Sequence, residues 1–135
     1  MSLQKAIREI LLTETDLTDL VGNRIRPDEL DITDDLPALI IEADAFTAAE
    51  SLDLAAGSTG EFQFTVVCCG SSRPAAAELE QIVRDTLDGY VGTVAGVTFS
   101  PITFSSIDYD HETGDDGGGN DHWFLNSVTF DAWIQ

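Results

Sequence analysis

The sequence predicts an α+β domain, a two-layer sandwich in which a four-stranded, mostly antiparallel sheet carries its helices on one face. Three observations predict it. Apolar residues recur at helical spacing in three segments and at alternating spacing in four. The strands fall into two pairs separated by a helix, an order that gathers helices over the apolar side of one sheet. The length of 135 residues, 43% of them hydrophobic, suits a single domain spanning residues 1–135, and a chain of that size buries roughly two thirds of its unfolded surface.

Leu3, Ile7, Ile10 and Leu11 stand at i, i+4, i+7 and i+8 with Gln4, Lys5, Arg8 and Glu9 between them, the stripe of an amphipathic helix. Thr13 or Thr15 can cap a short second helix carrying Leu17, Leu20 and Val21, and Gly22 supplies a left-handed stop. Asn23 to Asp35 is a polar, acidic connection that contains Pro27. Leu36 to Phe46 reads as a strand with Leu39, Ile41, Ala43 and Ala45 on one face and Pro37 tolerated near its start. Thr47 to Gly60, small and polar, makes a long hairpin loop. Glu61 to Cys69 alternates most clearly, with Phe62, Phe64, Val66 and Cys68 facing one way and Gln63 and Thr65 the other.

Ser72 and Pro74 lie where a helix start wants a cap and a fixed φ. The helix behind them carries Leu79, Ile82, Val83 and Leu87 on one stripe and ends at Gly89. After a glycine-containing link, Ile102 and Phe104 share one phase and Ile107 and Tyr109 the other, so the change at Ser105 and Ser106 predicts a β-bulge. A loop from Gly114 to Asp121 leads into the last strand, where Phe124, Val128, Phe130, Ala132 and Ile134 alternate with Trp123, Leu125, Thr129, Asp131 and Trp133.

Charge narrows the function. Twenty-five acidic residues against 6 basic ones leave −19, a field that repels phosphate backbones and anionic headgroups, so neither nucleic-acid binding through a basic patch nor attachment to a membrane surface is expected. Sixteen of the 25 acids are aspartate and Lys5 is the only lysine, a bias that fits a saline habitat in which salt screens the repulsion. The apolar run from Leu36 to Ile41 is far short of the about 20 residues that cross a bilayer. Glu9 interrupts the start of any secretory signal after Lys5 and Arg8, so synthesis and residence in the cytosol are expected.

The candidate chemistry is sparse. Cys68 and Cys69 are adjacent and point to opposite faces of a strand, which suits reduced thiols rather than a disulfide or a shared metal. Asp108, Asp110, Glu112, Asp115, Asp116, Asn120 and Asp121 offer oxygen ligands, yet Thr113 stands where an EF-hand needs glycine and Gly119 where it needs glutamate. A solvated hairpin loop is the expectation, and a small acidic calcium-binding interaction module is the alternative function. His111 and His122 flank the same loop without the further ligands a zinc site needs. Ser71 and Ser72 lack a nucleophile elbow, and Gly117 to Gly119 precedes neither a lysine nor a helix. No catalytic residue and no cofactor is expected. Trp123, Leu125 and Trp133 project away from the expected core face, as a contact surface does, unless the N-terminal helices cover them.

Over nearly its whole length, Leu3 to Gln135, the chain resembles the tail terminator family of long-tailed phages, also called tail completion or tail-to-head joining proteins. The features carrying the resemblance are the opening helix, the L-V-G-N-R-I segment from Leu20 to Ile25, and the D-L-P-A-L-I-I strand entry from Asp35 to Ile41. A strand ending in a G-S-S turn, the V-R-D-T-L-D-G helix end from Val83 to Gly89, and two closing strands follow. The resemblance implies a small α+β subunit of the virion, at the tail neck, that assembles in the host cytoplasm as a homo-oligomeric ring, usually hexameric. Such a ring caps the tail tube and stops its polymerisation. Its partners are the major tail tube protein and the head-tail connector, with DNA passing through the lumen unbound. Interfaces are expected at sheet edges, at Trp123, Leu125 and Trp133, and on the two long loops, with Asp53 and Leu54 on the first and Asp115 and Asp116 on the second.

Overall fold

The computed structural model describes residues 3–28, 36–48, 60–113 and 122–134. The opening stripe folds as helix α1 (Leu3–Leu12) and buries Ala6, Ile7, Ile10 and Leu11. Helix α2 (Thr15–Val21) is capped by neither threonine: Glu14 is the N-cap, its carboxylate accepting the Asp16 N–H at 3.3 Å, and Thr15 is the first helical residue. Gly22 ends α2 at φ +59, with its N–H donated to the Thr18 carbonyl at 2.8 Å.

Strand β1 (Ile25–Pro27) lies inside the segment expected to be connection, and pairs in parallel with β2 (Ala38–Ala48), Ile25 opposite Leu39. Strand β3 (Gly60–Gly70) pairs antiparallel with β2 on one side and, along its entire length, with β7 (His122–Ile134) on the other. Helix α3 (Arg73–Leu87) connects β3 to a short hairpin of β4 (Gly92–Val94) and β5 (Val97–Phe99). Its N-cap is Ser72, whose Oγ accepts the Ala75 N–H at 3.2 Å, and its C-cap is Asp88, one residue before the expected stop. The two hairpin residues Ala95 and Gly96 have φ of +50 and +81, the left-handed pair that matches strand twist in a two-residue loop. Strand β6 (Thr103–Thr113) then runs along the free side of β7, its register shifting between Phe104 and Ser106 at the expected bulge.

The fold therefore differs from the expected four-stranded, mostly antiparallel two-layer sandwich. It is a seven-stranded mixed sheet in the order β1-β2-β3-β7-β5-β4, with β6 also on β7, curled into a half-barrel with three helices. Helix α1 touches β1 and β2 near one margin and β4 near the other, so the sheet wraps around it. The three missed strands are each three residues long, too short for alternation to register against the polar residues beside them.

On the inner side of the curl one continuous cluster joins α1, α2 and α3 to Leu39, Ile41, Phe62, Phe64, Val66, Cys68, Val128, Phe130, Ala132 and Ile134. Phe64 is stacked between Phe62 and Phe130, with ring centroids 5.2 and 5.4 Å away, and the edge-on ring of Phe104 lies 6.2 Å from Phe130. The Arg84 guanidinium of α3 sits 4.4 Å over Phe104 and 3.5 Å from the Glu80 carboxylate, which ties the helix to β6. Gly70 allows close approach: a Cβ there would fall 2.6 Å from the Ala76 nitrogen at the start of α3.

Candidate assembly surface

Alternation decides which residues reach the outer face of the sheet. Because Phe62, Phe64 and Phe130 face inward, their neighbours Glu61, Gln63, Thr65, Val67 and Cys69 of β3, and Leu125, Ser127, Thr129, Asp131 and Trp133 of β7, face outward. On β2 the phase changes. The bulge between Ala43 and Ala45 sets Ala45 opposite Gln63 and Phe46 opposite Phe62, so Ala45 leaves the face of Leu39 and Ile41 that the sequence assigned to it. Phe46 stays 40% exposed at the end of the curl.

Across β2, β3 and β7 the outer face has an apolar half and an acidic half. Val67 and Cys69 are buried and Ile40 and Leu125 half-buried toward the β1 end of β2, whereas Glu42, Glu61, Asp131 and Trp133 lie toward the opposite end. Thr65, only 9% exposed, joins the halves: its hydroxyl donates to the Asp44 carboxylate and shares a 3.1 Å hydrogen bond with the Thr129 hydroxyl across the ladder. Burial, then the Asp44 and Asp28 carboxylates, raises the Glu42 carboxyl above its ordinary range. The strands β2, β3, β6 and β7 contain no lysine or arginine to offset these charges. Both cysteines are buried thiols outside any disulfide, Cys68 inward and Cys69 outward, and burial pushes the Cys68 thiol well above its ordinary value.

Trp133, 42% exposed, and Leu125 stand on the outer face as alternation predicts. Trp133 is opposite Glu61, and its carbonyl accepts the Ser100 N–H at 2.9 Å. Register puts Trp123 in the same phase at the start of β7, with its side chain outside the described residues. Asp53, Leu54, Asp115 and Asp116 lie outside the described residues too, as does most of both loops. In the β6–β7 ladder, His111 is opposite Phe124 and His122 opposite Thr113, so the two histidines are not cross-strand partners. Among the described residues no three His, Cys, Asp or Glu side chains form a group able to hold a metal ion.

Two features escaped the sequence. Tyr109 shares its phase with the inward Ile107 yet is 62% exposed. Asn126 is 1% exposed on the inner face, between Cys68 and Tyr109 in register, with neither side-chain amide atom hydrogen-bonded within the described protein. Between α2 and α3 a groove is lined by Asp16, Asp19 and Glu78 beside Leu20, Gln81 and Ile82, so this surface is acidic as well.

No protein-family model and no curated protein sequence matches the chain. Solved structures do share its fold. A chain from the virion of a native gene transfer agent particle superposes with a TM-score of 0.66 at 15% identity, over 99% of this chain and 96% of that one. A second solved chain superposes with a TM-score of 0.50 at 17% identity, over 99% of this chain and 97% of that one.

Proposed function

We propose that this chain is a structural protein of a virion, one that closes into a ring at the end of a phage tail tube, stops its polymerisation and joins the tail to the head connector. The observation that carries the reading is the end-to-end fold likeness to a chain from a gene transfer agent virion, with almost nothing unmatched on either side. The resemblance to tail terminators, read from turns and segment order, adds the place at the neck and a hexameric ring. The chain acts by contact, without catalysis. Trp123, Leu125 and Trp133, with Asp53, Leu54, Asp115 and Asp116 on the loops, are its interface residues toward the next subunit, the tube or the connector. An acidic surface at the lumen repels phosphate, so DNA threads the ring without adhering.

Ring closure brings many copies of a −19 chain together, so salt controls it. The screening length falls from about 10 Å at 0.1 M to about 3 Å at 1 M. Light scattering and negative-stain imaging across that series should show a monomer giving way to rings with a central hole as salt rises. A monomer at every salt concentration, or the absence of the chain from the neck of purified particles, refutes the reading.

A further inference from the structure

The two margins of the sheet are built differently. At β1 the edge is closed: the strand has three residues, Pro27 has no N–H, and the Ile25 carbonyl accepts the Arg8 Nε–H at 2.8 Å while the Ile25 N–H donates to the Asn23 carbonyl at 2.8 Å. At β6 the edge is long. The Asp88 carboxylate accepts the Phe104 N–H at 3.1 Å, and beyond that point β7 is the only strand, among the described residues, that pairs with β6 up to Thr113.

The side chains along this margin divide by face. Ser106, Asp108 and Asp110, opposite Thr129, Ser127 and Leu125, are exposed on the outer face. Ile107 and Tyr109, opposite Val128 and Asn126, lie on the inner face, where Ile107 packs against the core and Tyr109 stays 62% exposed. A strand added here would set alternate residues beside carboxylates and the intervening ones beside an uncovered ring and an aliphatic floor. We propose that β6 from Ser106 onward is the docking edge for an extended segment of another protein, one alternating basic and apolar residues. Backbone pairing supplies affinity and the two faces supply selectivity.

A second copy of this chain does not fit the edge. Its basic-apolar alternation, Arg24-Ile25-Arg26, is already committed to the β1 region, and β6 against β6 would oppose acid to acid. The inference goes beyond the proposed ring and survives if no ring forms.

The test uses the full chain and three capped peptides. They are Lys-Val-Lys-Val-Lys-Val-Lys, the same peptide with its central valine replaced by proline, and Glu-Val-Glu-Val-Glu-Val-Glu. Because a −19 protein attracts any cation, the comparison of the two equally charged lysine peptides decides the matter. The alternating lysine peptide should bind about tenfold or more tighter than the proline peptide. It should slow amide hydrogen exchange along Ser106–Asp110, and the glutamate peptide should not bind. The double variant Asp108→Lys, Asp110→Lys should abolish the advantage of the alternating lysine peptide over the proline peptide, and Tyr109→Ser should weaken the lysine peptide several-fold with the far-UV spectrum unchanged. Equal affinity for both lysine peptides, or protection located elsewhere, overturns the proposal. So does a β6 edge protected in the free protein as strongly as β3, or one protected only as protein concentration rises, which marks a second copy as the occupant.

Discussion

Replacing Phe130 with alanine tests how the sheet holds its two faces in place. The ring is wholly buried, 5.4 Å from Phe64 on the next strand and 6.2 Å from Phe104 on the other side, and Phe104 in turn carries Arg84. Truncating a core phenylalanine costs about 3–5 kcal/mol. The loss of two ring pairs, each worth about 0.5–1.5 kcal/mol beyond area burial, puts Phe130→Ala toward the upper end of that range. Against a domain stability of about 5–15 kcal/mol, that is a third or more of the total. Phe104, half-buried, should cost about 1–2 kcal/mol when truncated, because much of its ring already meets water. Urea unfolding followed by tryptophan fluorescence measures both, and an unchanged m-value assigns the shift in midpoint to stability. A Phe130→Ala cost below about 1 kcal/mol, or one no greater than that of Phe104→Ala, would refute the account of a core centred on β7.

Three further outcomes follow from the same geometry. Gly70→Ala places a methyl 2.6 Å from the backbone nitrogen of Ala76, so α3 must move, and thermal unfolding should show a loss of about 1–3 kcal/mol. Asn126→Leu removes a buried amide with no partner among the described residues and fills similar volume, so the same assay should show a gain of about 1–3 kcal/mol; a loss would mean the amide is satisfied. The Glu42 carboxyl is raised above its ordinary 4.5, so its protonated form favours the fold: that contribution is complete below pH 4.5 and disappears as pH rises through the higher folded value. Glu42→Gln should therefore unfold at higher urea than the parent at pH 7 and lose that advantage near pH 4, with an unchanged difference at the two pH values counting against the assignment.

Residue order alone carried much of the pattern. Helical spacing located α1 and α3, Ser72 announced its capping role, the phase change after Phe104 announced the bulge, and strict alternation placed Leu125 and Trp133 away from Phe130. Each of these is a local consequence of backbone geometry, readable over a few residues. The margin at β6 was not readable in this way. Tyr109 has the phase of a core residue and is uncovered because β6, among the described residues, is the outermost strand along that stretch of β7, a fact about neighbours rather than periodicity. The bulge at Asp44 likewise moved Ala45 off its expected face.

Sequence by itself determined which segments are the longer helices and strands, the inward phase of β3 and β7, and that the chain is strongly acidic, since all three depend on composition and short-range order. Tertiary structure alone decided that three-residue segments join the sheet, that β1 runs parallel to β2, and that the sheet curls until α1 meets both β1 and β4. Short strands form only when a partner ladder already satisfies their backbone groups, so their existence is a property of the assembled fold.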